Sequence, residues 1–124
     1  MTNIFKDQTA FMTACDQSVD TYNEAQYNMY VALIHEEFEE LKEAIEANDR
    51  VEQLDALLDL IVVTVGAINS LGADGEGGWN EVIRSNMSKV DAATGKVIKR
   101  ADGKVLKPDS FSPPDLTSFV KEIK

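Results

Sequence analysis

Residues 51–68, VEQLDALLDLIVVTVGAI, are apolar on nearly every side of a helix, yet they carry Glu52, Asp55 and Asp59. A helix that is apolar all round belongs in an interior. The three acids stand at i, i+3 and i+7, on one line of that helix, where like charges repel. Burying an isolated carboxylate costs roughly several kcal/mol even after relaxation. The line therefore needs cations, from lysine, arginine or metal. Between Glu36 and Asp59 only Lys42 and Arg50 are basic. A divalent metal offers concentrated charge and several oxygen positions, and a ligand set of carboxylates without histidine suits Mg²⁺ or Mn²⁺ rather than zinc. The competing reading pairs Asp55 and Asp59 with arginine across a dimer interface, or leaves them in solvent.

The chain around this helix reads as all-α. Ile4, Phe5, Gln8, Phe11, Met12 and Cys15 recur at helical spacing and predict a short first helix. Thr21 with Glu24 makes a capping box that opens a second helix running to about Ala47. Asn48-Asp49 is a turn, Asp49 with Glu52 caps the third helix, and Leu71-Gly72 ends it. So few residues join the second and third helices that they must form an antiparallel hairpin. A glycine-rich loop, ADGEGG, precedes a fourth helix with Trp79, Val82, Ile83, Met87 and Val90 on one side. Two short β-type runs flank Asp102-Gly103 and predict a small β-hairpin or an extended arm. The expectation is one domain over 1–124, a helical bundle built on the hairpin, with a basic arm and tail over about 96–124.

On the second helix, Tyr27, Tyr30, Val31, Ile34, Phe38, Leu41 and Ile45 form an apolar stripe, and Glu39, Glu43 and Glu46 fall on the opposite, solvated face. Glu36, Glu37 and Glu40 form an arc along the boundary between the two.

Charge narrows the partners. The net charge is -10, but Arg84 to Lys107 holds seven basic groups and two acids, so that segment is +5 and the remainder -15. Such a chain repels nucleic acid and anionic membrane unless its charge is segregated or neutralised by cations, and an acidic half with a basic tail suits either one polyanionic ligand bridged by metal or, equally, a self-complementary surface. The single cysteine, Cys15, forms no intrachain disulfide and falls on the apolar side of its helix. With no signal-like start and no membrane-length apolar run, the expected location is the cytoplasm. A di-iron site would need a Glu-x-x-His pair. The only histidine is His35, with Ala32 three residues before it. No Ser-His-Asp set or Walker-type phosphate loop is present.

Glu37-x-x-Glu40 on one helix and Glu52-x-x-Asp55 on the next resemble the all-α nucleoside triphosphate pyrophosphohydrolases, the superfamily of MazG, dimeric dUTPases, dCTP pyrophosphatases and phosphoribosyl-ATP pyrophosphohydrolase. LIHEEFEELKEAI is similar to the first metal helix of that superfamily and VEQLDALLDLIVVTVGAI to the second. RSNMSKV, GKVIKRADGKVLKP and SPPDL resemble the C-terminal region of the phosphoribosyl-ATP-pyrophosphohydrolase-like branch. The resemblance implies that Glu37, Glu40, Glu52 and Asp55 ligate Mg²⁺, with Asp59 an additional or supporting ligand. It implies Glu36 as the group that orients or deprotonates the attacking water. Asn86 and Lys89, then Arg84, fall to the nucleotide or its phosphates, and Lys99 and Lys104, with Lys96, Arg100 and Lys107, to the triphosphate. The implied reaction cleaves a nucleoside triphosphate between the α- and β-phosphates, giving a monophosphate and pyrophosphate.

The leading expectation is a dNTP or non-standard NTP as substrate. One alternative keeps the fold and takes phosphoribosyl-ATP, in histidine biosynthesis. The other is a non-enzymatic helical dimerisation or adaptor module. A homodimer or homotetramer is expected, because one hairpin cannot cover a third helix that is apolar on almost every side.

Overall fold

The computed structural model describes residues 2–120, which contain four α-helices: α1 (Ile4–Ala14), α2 (Glu24–Glu46), α3 (Arg50–Ser70) and α4 (Gly75–Met87). They fall into two compact units, one holding the residues up to Gly75 and the other Glu76–Phe119. None of these helices is long and apolar enough to cross a membrane.

In the first unit the main interface is the antiparallel pair α2 and α3, with α1 packed on α3. The chain reverses sharply because each helix ends on a left-handed residue. Asn48 (φ 53°) follows α2, and the Asp49 and Asn48 amides donate back to the Ala44 and Ile45 carbonyls at 3.0 and 3.1 Å. This is a Schellman end with asparagine where glycine is usual. The Asp49 side chain then accepts from the Glu52 amide at 3.1 Å and starts α3, as the sequence predicts. Gly72 (φ 72°) closes α3, and it has no room for a side chain: a Cβ there would lie 2.8 Å from the Tyr22 nitrogen. Asn23 rather than Thr21 caps α2, its side chain accepting from the Gln26 amide. The reason is that residues 22–23 are tied in extended form to the end of α3, through the Tyr22–Leu71 bridge and the Asn23 amide on the Ser70 carbonyl.

The core joins Met12, Tyr30, Val63 and Ala67, flanked by Val19, Tyr27, Leu33 and Ile34. Tyr30 lies flat against Gly66, where an added Cβ would come within 2.7 Å of the ring Cζ. Around it runs a polar net. The Tyr30 hydroxyl donates to Gln17, the Gln26 amide donates to the Ser18 carbonyl (2.7 Å) and Ser70 hydroxyl (2.9 Å), and Asn69 donates to Thr9 (3.2 Å).

Two expectations are corrected. Cys15 is exposed at the C-terminus of α1, because the helix ends there and its apolar face stops at Met12. The glycines Gly75, Gly77 and Gly78 belong to the first turn of α4 rather than to a loop. A side chain at Gly75 would sit 2.8 Å from Phe5. The third helix, as expected, is apolar beyond what one hairpin covers: Val51, Leu54, Leu57, Leu58, Ile61 and Val62 are 41–76% exposed.

In the second unit α4 is followed by two turns and a short 3-10 turn at Thr117–Phe119. The predicted β-hairpin does not form a ladder among the described residues. Only isolated bridges join Val90 to Val97 and Lys99 to Val105, and Gly95 and Gly103 take the left-handed turn positions. Each paired run is too short, and too little covered on either face, to propagate pairing.

Candidate metal and catalytic site

The second helix packs slightly out of the phase read from its sequence. Tyr30, Glu37 and Ala44, seven residues apart, lie toward α3, whereas Phe38 and Ile45 are 51% and 53% exposed. Glu37 thus stands inside the α2–α3 contact rather than at its edge. Its Oε2 atom is shielded from solvent and has no hydrogen-bond partner. Such an atom is costly unless something supplies positive charge or a proton.

The surroundings of Glu37 supply only more negative charge. Burial, then a hydrogen bond with Glu40, then the charges of Glu40, Asp59 and Asp55 push its carboxyl up to about 7 from an ordinary 4.5. Asp59 is also raised, by burial first and by Asp55 and Glu40 next. These mutual effects place Glu37, Glu40, Asp55 and Asp59 in one electrostatic cluster across the hairpin. Adjoining it, a cleft of about 500 Å³ is lined by Glu40, Glu43, Ala44, Ala47, Asp49, Glu52, Asp55 and Ala56. The alanines leave room where α2 and α3 meet, and the Asp49 cap holds the Glu52 end of the cleft in helical register.

Two members of this wall lie outside the carboxylate set read from the sequence. Glu43 is exposed, as its place on the solvated face implies, and it also lines the cleft one turn after Glu40. Asp49 was read only as a cap. The spacing Glu40, Glu43, Ala44, Ala47 carried the signal, since small residues three to four apart beside acids mark a cavity wall as readily as a surface. Glu39 is exposed and pairs with Lys42 at 3.6 Å, as its solvated position implies. Glu36 is exposed.

Among the described residues, none of the ion pairs involves Glu37, Glu40, Glu52, Asp55 or Asp59. No three carboxylates are drawn together into a ready ligand cage either. Four like charges have no reason to converge by themselves. The donor set nonetheless fits a hard divalent cation: it is all oxygen, spans two facing helices, and includes an orphaned buried carboxylate oxygen.

The basic residues lie in the second unit. Arg84 is held by Glu81 through two bonds of 2.6 and 3.0 Å and donates to the Pro113 carbonyl at 3.2 Å. Arg84, then the Asp115 amide, hold the Glu81 carboxyl down at about 2. Lys89 donates to Asn86 at 3.2 Å and lies 5.7 Å from the Phe111 ring. Lys99 and Lys104 are exposed on the second of the two turns, where Arg100 pairs with Asp102 at 2.6 Å.

A hairpin of two helices carrying facing carboxylate pairs defines the class of the all-α nucleoside triphosphate pyrophosphohydrolases. The family model of phosphoribosyl-ATP pyrophosphohydrolase matches residues 9–86, well over half of the chain, and the chain belongs to that family of enzymes. A search of curated proteins finds no match. The matched stretch contains every acidic candidate together with Arg84 and Asn86, and it ends before Lys89 and the basic arm. It also takes in most of α1. Membership in an enzyme family sets aside the adaptor reading.

Proposed function

We propose that this chain hydrolyses phosphoribosyl-ATP between its α- and β-phosphates, releasing phosphoribosyl-AMP and pyrophosphate, as a step of histidine biosynthesis. The family match favours this substrate over the dNTP or non-standard NTP that the sequence alone put first. The observation that carries the chemistry is the cluster of Glu37, Glu40, Asp55 and Asp59, with its buried, unpartnered Glu37 oxygen.

Glu37, Glu40, Glu52 and Asp55 would hold Mg²⁺ or Mn²⁺, with Asp59 as a further ligand or a support for Asp55. Bound there, the ion would neutralise phosphate charge and lower the pKa of a coordinated water. The protein's own part is to aim carboxylates from two helices at one cleft. Glu36, exposed beside Glu37, offers a carboxylate oxygen to take the proton of the attacking water. Asn86, Lys89, Lys99 and Lys104 are assigned to the phosphates, as donors to the pyrophosphate leaving group. Arg84 already serves Glu81 and Pro113, so its share in substrate binding is the smaller.

The test is a turnover panel with Mg²⁺, comparing phosphoribosyl-ATP with dATP, dCTP, dUTP and dTTP and measuring pyrophosphate against orthophosphate. The proposal expects phosphoribosyl-ATP to have the highest kcat/KM, with pyrophosphate as product. A higher kcat/KM for any dNTP contradicts the substrate assignment, and orthophosphate as the main product contradicts the bond.

A further inference from the structure

In the second unit the tail is fastened along α4 and the turn that follows it. The Ser88 hydroxyl accepts from the Ser112 amide at 2.9 Å and donates to the Ser85 carbonyl at 2.6 Å, and the Ser88 carbonyl accepts from the Ser110 hydroxyl at 3.3 Å. Arg84 donates to the Pro113 carbonyl, and the Glu81 carboxylate accepts from the Asp115 amide at 2.8 Å. Phe111 stands in the middle of this strap, half-buried, its amide closing a turn on the Pro108 carbonyl at 2.9 Å. Two ammonium groups share its ring: that of Lys89, just past the end of α4, at 5.7 Å and that of Lys107, from the start of the turn, at 4.9 Å. Both lie within the ~6 Å over which a cation is drawn to an aromatic face. Among the described residues no carboxylate forms an ion pair with either lysine.

Like charges gathered at one place repel. A carboxylate between them would cancel the charge; the ring instead holds both ammoniums by its negative face and leaves their charge free for an anion. A lysine is a point charge on a flexible four-carbon stem, so a fixed ring narrows the positions each ammonium takes. We propose that Phe111 is a positioning residue for the reaction, holding Lys89 and Lys107 as a pair that takes the pyrophosphate leaving group. The resemblance in sequence assigns the lysines to phosphate and gives Phe111 no part. Phe111 itself touches no substrate; it acts through the two ammoniums. The proposal rests on the reading that pyrophosphate is the product, whichever nucleoside triphosphate supplies it.

Isothermal titration calorimetry of the intact chain with inorganic pyrophosphate in excess Mg²⁺ tests it. Phe111→Leu, which keeps an apolar side chain and removes the ring, is expected to weaken pyrophosphate binding roughly threefold to tenfold. Phe111→Tyr, which keeps the ring, is expected to bind within about twofold of wild type. The same Phe111→Leu change is then made in a chain that already carries Lys89→Gln and Lys107→Gln. There it is expected to have no further effect, because residues that act as one unit are not additive. A Phe111→Leu chain that binds as tightly as wild type overturns the proposal, and so does a wild type that binds no pyrophosphate. An equal loss in the chain without the two lysines also overturns it, because a ring that merely holds the tail in shape acts whether or not the lysines are present. A dNTP preferred in the turnover panel changes the substrate and leaves this result as it is, so the two failures are told apart.

Discussion

Glu37 gives the metal-free protein a pH-dependent weakness whose sign follows from its surroundings. Burial and the neighbouring Glu40, Asp59 and Asp55 raise its carboxyl from 4.5 to about 7 in the folded chain. Between those values the folded state holds a proton that the unfolded state has released, so stability falls as pH rises. Below about 4.5 both states are protonated and the residue contributes nothing; above about 7 the full penalty is present. At roughly 1.36 kcal/mol per pH unit the ceiling is about 3 kcal/mol. Because Glu37 is only half-buried, solvent screening reduces this to roughly 1–2 kcal/mol. Glu37→Gln removes the charge and keeps the shape. In EDTA, urea unfolding followed by circular dichroism at 222 nm from pH 4.5 to 8 is expected to show the variant matching wild type at the acid end. At pH 8 the variant is expected to be more stable by about 1–2 kcal/mol. Parallel stability curves, or a variant less stable than wild type at pH 8, would refute the reasoning, because they require an unseen positive partner for Glu37.

Other substitutions separate the cleft from its surroundings. Glu39→Gln is expected to leave kcat/KM within about twofold of wild type, since Glu39 meets only Lys42 at the surface. Glu43→Gln, on the cleft wall, is expected to raise the Mg²⁺ concentration for half-maximal turnover severalfold; an unchanged requirement would remove Glu43 from the site. Gly66→Ala is expected to destabilise by roughly 1–2 kcal/mol in urea titrations. The added methyl strikes the Tyr30 ring, and that overpacking exceeds the ~1 kcal/mol gained in helix propensity. Equal or greater stability would mean that the ring moves aside freely.

The sequence made the helices and the acidic hairpin legible because their signals are local. Asp49 caps α3 within four residues, and the apolar periods of α1 and α3 are strong. What escaped depends on packing between elements. On α2 most of the apolar stripe meets the core, but Phe38 and Ile45, apolar by composition, are exposed, while Glu37 at the edge of the stripe is partly buried. Thr21 lost the cap to Asn23 because the preceding residues are drawn toward the end of α3, 47 positions away. The β-type runs near Asp102 carry the right residues, but strands need covering, and a pattern of alternation does not say what covers it. The apolar circumference of α3 is legible in the sequence, and within one chain its Val51, Leu54, Leu57, Leu58, Ile61 and Val62 are exposed.

A divalent cation held by Glu37, Glu40, Glu52 and Asp55 is the centre of the proposed chemistry, and direct binding measures it without reference to any substrate. Mn²⁺ titrated into the metal-free protein and followed by electron paramagnetic resonance reports the free ion. Wild type is predicted to sequester Mn²⁺, with Mg²⁺ in excess displacing it, and Asp55→Asn to bind it at least roughly tenfold more weakly while remaining folded. A wild-type protein that leaves Mn²⁺ free, or an Asp55→Asn protein that binds it as tightly as wild type, would contradict the account.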